Sequence, residues 1–169
     1  MKKTILLAAP LLLAVLSVPY AVATGNEAFG FNGTVSGFPT GVVKITGGGA
    51  YNPSTAFVHS AGGFRCIEAV GQGPLNGCAA RDGIRWDTEQ LLDSSPFKCF
   101  AAETAHTAVT GDKTVVLNAD FYKAGDGRDA TFKDVKMIVS EDDIDPDLPG
   151  IQNLWIQGVG CGEAITHFN

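Results

Sequence analysis

The chain reads as an all-β protein: a single-domain antiparallel β-barrel or β-sandwich of about eight short strands with one short helix, stapled by disulfides. Three observations predict this. Segments 114–122 and 131–141 each alternate apolar and polar side chains, the period of a half-buried strand, around a turn rich in glycine and aspartate. Glycine makes up 21 of 169 residues and clusters between the apolar runs, where tight turns need it. Four cysteines, Cys66, Cys78, Cys99 and Cys161, follow a segment with the parts of an export signal, and an even number in an exported chain reads as two disulfides.

That export segment is residues 1–23. It has a basic start (Lys2, Lys3), an apolar run from Ile5 to Val18, and Ala21-Val22-Ala23 as a small-residue cleavage box. Pro10 interrupts the run and Pro19 follows its end, and the run falls short of the ~20 residues of a membrane-spanning helix. We expect residues 24–169 as one domain, secreted or periplasmic, with no membrane attachment after cleavage. Losing Lys2 and Lys3 takes the formal charge from −6 to −8. An acidic chain without a Lys/Arg cluster argues against nucleic acid and anionic lipid as partners. The cysteine intervals contain no Cys-x-x-Cys, so disulfides are favoured over zinc, with all three pairings open.

In order, 28–36 is a first strand, with Phe29, Phe31, Gly33 and Val35 on one face. Asn32-Gly33-Thr34 matches a glycosylation acceptor but reads as ordinary strand. A turn at 38–41 leads to a strand at 42–46, and Gly47-Gly48-Gly49 marks a bulge or a close backbone approach. After the turn at 52–55, strands 56–60 and 64–70 are joined by Ala61-Gly62-Gly63, and 71–83 is a long loop tied down through Cys78. The one helix is expected at 87–92: Asp87 as N-cap, Gln90 three residues on as in a capping box, then Leu91 and Leu92. Strand resumes at 97–103, and 102–109 is a short helix or loop. The segments 114–122 and 131–141 then form a hairpin. The run 151–161 is apolar on both faces, with Leu154 and Ile156 against Trp155 and Val159, so it is expected inside the fold; 162–169 is a tail.

Register locates the one place where charge needs an explanation. Bringing the apolar faces of the hairpin together pairs odd residues with odd, because a one-residue slip turns every side chain over. With Gly127 at the centre of the turn, Asp120 then lies opposite Asp134. Like charges facing each other in a ladder are destabilising, so water, a neighbouring lysine, a shared proton or a cation must offset them. Asp120 and Asp134 are therefore the candidate acid–base pair, with Tyr122 on the same strand face. The flanking connections supply Asp126, Asp129, Asp143 and Asp145, oxygen ligands for calcium, although neither matches the spaced ligands of a calcium-binding hand. The alternative is a solvated acidic rim. Calcium is the one cofactor the sequence suggests.

His59 lies near Gly62 and Gly63, and with Trp86 and Trp155 it could line a ligand pocket, against the commoner use of such aromatics as core. His59, His106 and His167 are far apart in sequence, and no His-Glu-x-x-His occurs, which argues against a zinc or copper hydrolase. No Gly-x-Ser-x-Gly elbow is present. Three functions stay open. One is a non-enzymatic exported domain binding a small molecule or an extracellular surface. Another is a small secreted β-barrel hydrolase or isomerase using the paired carboxylates, and the last is a cation-stabilised structural module. Oligomeric state is not legible.

Overall fold

A computed structural model describes residues 25–169; the expected signal at 1–23 lies outside the described residues. Strands β1 (Glu27–Gly37), β2 (Val42–Asn52) and β3 (Phe57–Glu68) form a long meander, and β4 (Arg85–Leu92) follows the loop that holds Cys78. Next, β5 (Ser94–Phe97) and β6 (His106–Val109) make a separate hairpin. The chain ends with β7 (Thr114–Tyr122), β8 (Phe132–Ser140), β9 (Leu154–Ile156), β10 (Gly160–Gly162) and β11 (Ala164–Phe168).

The main sheet runs β1-β2-β3-β4-β7-β8-β9-β10, antiparallel at every step, and β10 returns to β1 through Ser36↔Cys161. This closes a barrel. In the same register β11 continues along β1 to Phe29↔Phe168, so β10 and β11 act as one strand interrupted at Glu163. The buried Asn153 bridges the interruption: its amide donates to the Ala164 carbonyl (3.0 Å) and accepts from the Ala164 N–H (2.7 Å), as a ladder residue would. Closure gives β1 partners on both sides along its length, and the short β11 ends the order.

The interior is filled by one apolar cluster that includes Phe31, Ile45, Phe64, Trp86, Phe121 and Met137. Trp86 sets the local geometry. Its indole N–H donates to the Thr46 carbonyl (3.0 Å), and its ring occupies the space a Cβ at Gly47 would need. Gly47 pairs with Gly62 across β2 and β3, which accounts for glycines in the middle of two strands. A second apolar cluster lies outside the barrel wall. There Phe97, Ala108 and the Cys99–Cys161 disulfide cover Val116, Ile138 and Trp155, and the Trp155 indole N–H donates to the Lys98 carbonyl (2.8 Å). The outward faces of β7 and β8 are thus dry in one half and wet in the other.

Several expectations need correction. Segment 87–92 is strand: a bulge between Thr88 and Gln90 turns the inward side from Trp86 to Leu91, and that broken alternation imitates helical spacing. The strands expected at 56–60 and 64–70 are the single β3. Residues 98–105 form a connection rather than strand, and His106–Val109 is β6. The run 151–161 is two short strands joined through Gln157 and Gly158, and the expected tail holds the closing strand β11. The disulfides pair Cys66 with Cys78 and Cys99 with Cys161. Among the described residues no helix is long and apolar enough to cross a membrane.

Candidate functional site

The hairpin of β7 and β8 has the expected register, Ala119↔Val135, as far as a bulge at which Lys133 and Asp134 together oppose Asp120. Asp134 takes a left-handed backbone conformation there (φ 56°). Its N–H donates to Asp120 Oδ1 at 3.2 Å, and Asn118 donates its amide to Asp134 Oδ1 at 2.9 Å. Local N–H donors therefore offset the repulsion between the two carboxylates. On the other side of β7, Asp120 pairs with Asp87. Asp87 is held by Arg85 (2.9 Å) and by the Tyr122 hydroxyl (3.1 Å), and the Arg85 guanidinium lies 3.7 Å from the centre of the Tyr122 ring. Burial, followed by the bond to Asp87, pushes the Tyr122 phenol above its ordinary pKa.

The two bulges, at Glu89 on β4 and at Lys133–Asp134 on β8, fall at one level on either side of β7. They aim Glu89, Gln90, Asn118, Asp120, Lys133 and Asp134 into an open cleft of about 470 Å³. Three carboxylates, two amides and one amine make it rich in acceptors, and the enclosed Asn118 Oδ1 has no donor from the chain.

A second group of titratable side chains lies where the connection between β5 and β6 meets the one between β8 and β9. Glu103 Oε2 accepts the N–H groups of Cys99 (2.7 Å) and Phe100 (3.1 Å), leaving Oε1 beside His106 Nε2 at 3.5 Å. His106 Nε2 is also 3.8 Å from Oδ1 of Asp145, a side chain with no exposure to solvent. Burial first, then the neighbouring Glu103, pushes the Asp145 carboxyl above its usual range. Burial acts on Glu103 in the same sense, but contact with Asp145, the two backbone N–H groups and His106 outweigh it and hold Glu103 low.

The remaining candidates are dispersed. His59 is exposed on β3, Trp86 is in the barrel interior, and Trp155 is under the outer hairpin, so they line no common pocket. Asp126 organises the turn between β7 and β8, accepting from the Lys123 N–H (2.7 Å) and the Thr131 hydroxyl. Asp143 organises the connection between β8 and β9, accepting from the N–H groups of Asp145 and Gln152, each at 3.1 Å. Those connections leave opposite ends of the nine-residue β8, a strand ~30 Å long. Asp126, Asp129, Asp143 and Asp145 therefore cannot enclose one calcium ion.

Glu103 and His106 are the residues that sequence reasoning passed over. Their i,i+3 spacing beside Cys99 was the available signal, but nothing local announces that Asp145 joins them. Comparison with protein-family models, curated proteins and solved structures finds no match, so the chemistry of both sites rests on their own geometry.

Proposed function

We propose that this chain is an exported, disulfide-fastened barrel that binds its ligand on the outer wall, in the cleft between β4, β7 and β8. The filled interior favours an external site over a ligand inside the barrel. The observation that carries the reading is the convergence of two bulges at one level, which collects six polar side chains where plain strands would spread them. An acceptor-rich, water-open cleft suits a ligand that presents many donors, and the hydroxyl groups of an extracellular glycan are the class proposed.

Binding is preferred to acid–base catalysis for two reasons. The Tyr122 hydroxyl is committed to Asp87, and Asp120 and Asp134 are tied to donors within the sheet in a cleft open to solvent. The test is a glycan array followed by titration calorimetry on residues 24–169. Wild type should bind at least one glycan class, and Asp120→Asn with Asp134→Asn should weaken it by ~10-fold or more. If no glycan binds, or if the double variant binds equally well, the reading is wrong.

A further inference from the structure

We propose that His106, Asp145 and Asp147, with Glu103 beside them, form a binding site for a divalent transition ion of the zinc class. Asp145 is a fully buried acid. Both of its carboxylate oxygens are shut away from water, and neither has a hydrogen bond of normal geometry. Its nearest polar neighbours are the Glu103 carboxyl, the His106 imidazole and the Asp147 backbone. A carboxylate taken out of water with only one poorly placed N–H near it is costly, and a second carboxylate at its side adds to that cost. No lysine or arginine reaches it among the described ion pairs. A cation at this point would supply the missing charge and the missing ligand contacts together.

The neighbours are arranged as ligands. The donor atoms of His106, Asp145 and Asp147 lie within 4.8 Å of one another, and Glu103 stands within the same distance of Asp145. His106 Nε2 is 3.5 Å from Glu103 Oε1 and 3.8 Å from Asp145 Oδ1. A tetrahedral ion with bonds of about 2.0–2.1 Å separates its ligands by about 3.3–3.4 Å, so small side-chain movements bring His106, Asp145 and Asp147 onto one ion, with water or Glu103 Oε1 as the fourth ligand. Glu103 is already fixed from behind, since its other oxygen holds the two N–H groups. The His106 ring is likewise braced against Phe97, with centroids 5.6 Å apart. Cys99 is near but belongs to a disulfide, so it supplies no thiolate.

The donor set chooses the ion. One imidazole nitrogen with carboxylate oxygens suits zinc or a similar first-row ion, whereas calcium prefers an all-oxygen cage of six to eight ligands. Access is from the Asp147 side, the exposed member of the group. On binding, the ion displaces whatever proton the Glu103–Asp145 pair holds, and that proton leaves to solvent. The joined segments are the β5–β6 connection, tied to β10 by Cys99–Cys161, and the β8–β9 connection, so the ion would clamp the outer hairpin to the barrel rim.

The test uses residues 24–169, stripped with a chelator and titrated with zinc chloride by calorimetry, with thermal melts alongside. One ion per chain is expected, with a Tm rise of about 5–10 °C at metal ~100-fold above Kd. Asp145→Asn should stay folded, because it removes an unsatisfied charge at nearly constant shape, and should lose zinc affinity by ~100-fold. His106 is partly exposed, so His106→Gln provides a second folded variant with the same expected loss. The proposal is overturned if wild type binds no zinc at millimolar concentration, if Asp145→Asn binds as wild type does, or if calcium binds more tightly than zinc. None of these results bears on the glycan cleft.

Discussion

The Asp120–Asp134 pair and the Glu103–Asp145 pair each set two acids side by side, but they sit in different solvents. Asp120 and Asp134 face an open cleft, and an N–H from within the sheet serves each. Asp145 is sealed beneath the outer hairpin with only the Asp147 backbone N–H close by and no hydrogen bond of normal geometry, while Glu103 takes the N–H groups of Cys99 and Phe100. What separates them is hydration and not charge. In water the Coulomb cost of neighbouring carboxylates is about 1 kcal/mol, while loss of water multiplies it and ties it to proton or metal uptake.

The sharpest way to break the comparison is to release the cover over the buried pair. Replacing Cys99 and Cys161 by alanine opens a link across 62 residues, for which chain entropy gives about 4 kcal/mol, against about 3 kcal/mol for Cys66–Cys78 across 12. Urea unfolding should rank the two in that order, and only the Cys99–Cys161 variant should also lose the zinc response.

Asp145→Asn should have the next largest effect, and its sign depends on pH. The carboxyl of Asp145 is raised on folding, so its contribution to stability is complete below the unfolded value and is lost as pH rises through the folded one. Without metal, the variant should therefore gain on wild type as pH is raised from acid to neutral, by on the order of 1–3 kcal/mol. Glu103 moves the other way: its lowered pKa contributes stability above the unfolded value that disappears in acid. Denaturation of both proteins across that pH range in chelator checks the signs. A variant less stable than wild type at neutral pH would mean that the Asp145 carboxylate has donors after all.

The smallest effect belongs to the wet pair. Asparagine at position 120 keeps an oxygen for the Asp134 N–H and removes one of two solvated charges, so Asp120→Asn should shift stability by no more than about 0.5 kcal/mol. A loss well beyond that would show that Asp120 is as much a structural acceptor as a ligand contact.

How far each region could be read beforehand follows from contact range. Asp120 and Asp134 were legible because a hairpin obeys parity: once the apolar faces of β7 and β8 meet, the polar partners are determined. The same logic failed on β4, where the bulge at Glu89 broke the alternation and left Asp87 and Gln90 looking like a helix start. It failed on β11 for another reason, since that strand pairs with β1 from the far end of the chain and only closure gives it a partner. Glu103, His106 and Asp145 come from two connections with no shared periodicity.

The chain's own pattern therefore determined the all-β class, the crosslinking by cysteine and the parity of its central hairpin, because alternation and cysteine count act locally or as composition. Tertiary structure alone decided that the sheet closes and that its interior is full. It also decided which cysteines join and which acids are kept from water, since burial depends on what distant segments lay over a side chain and on the bulges that re-aim it.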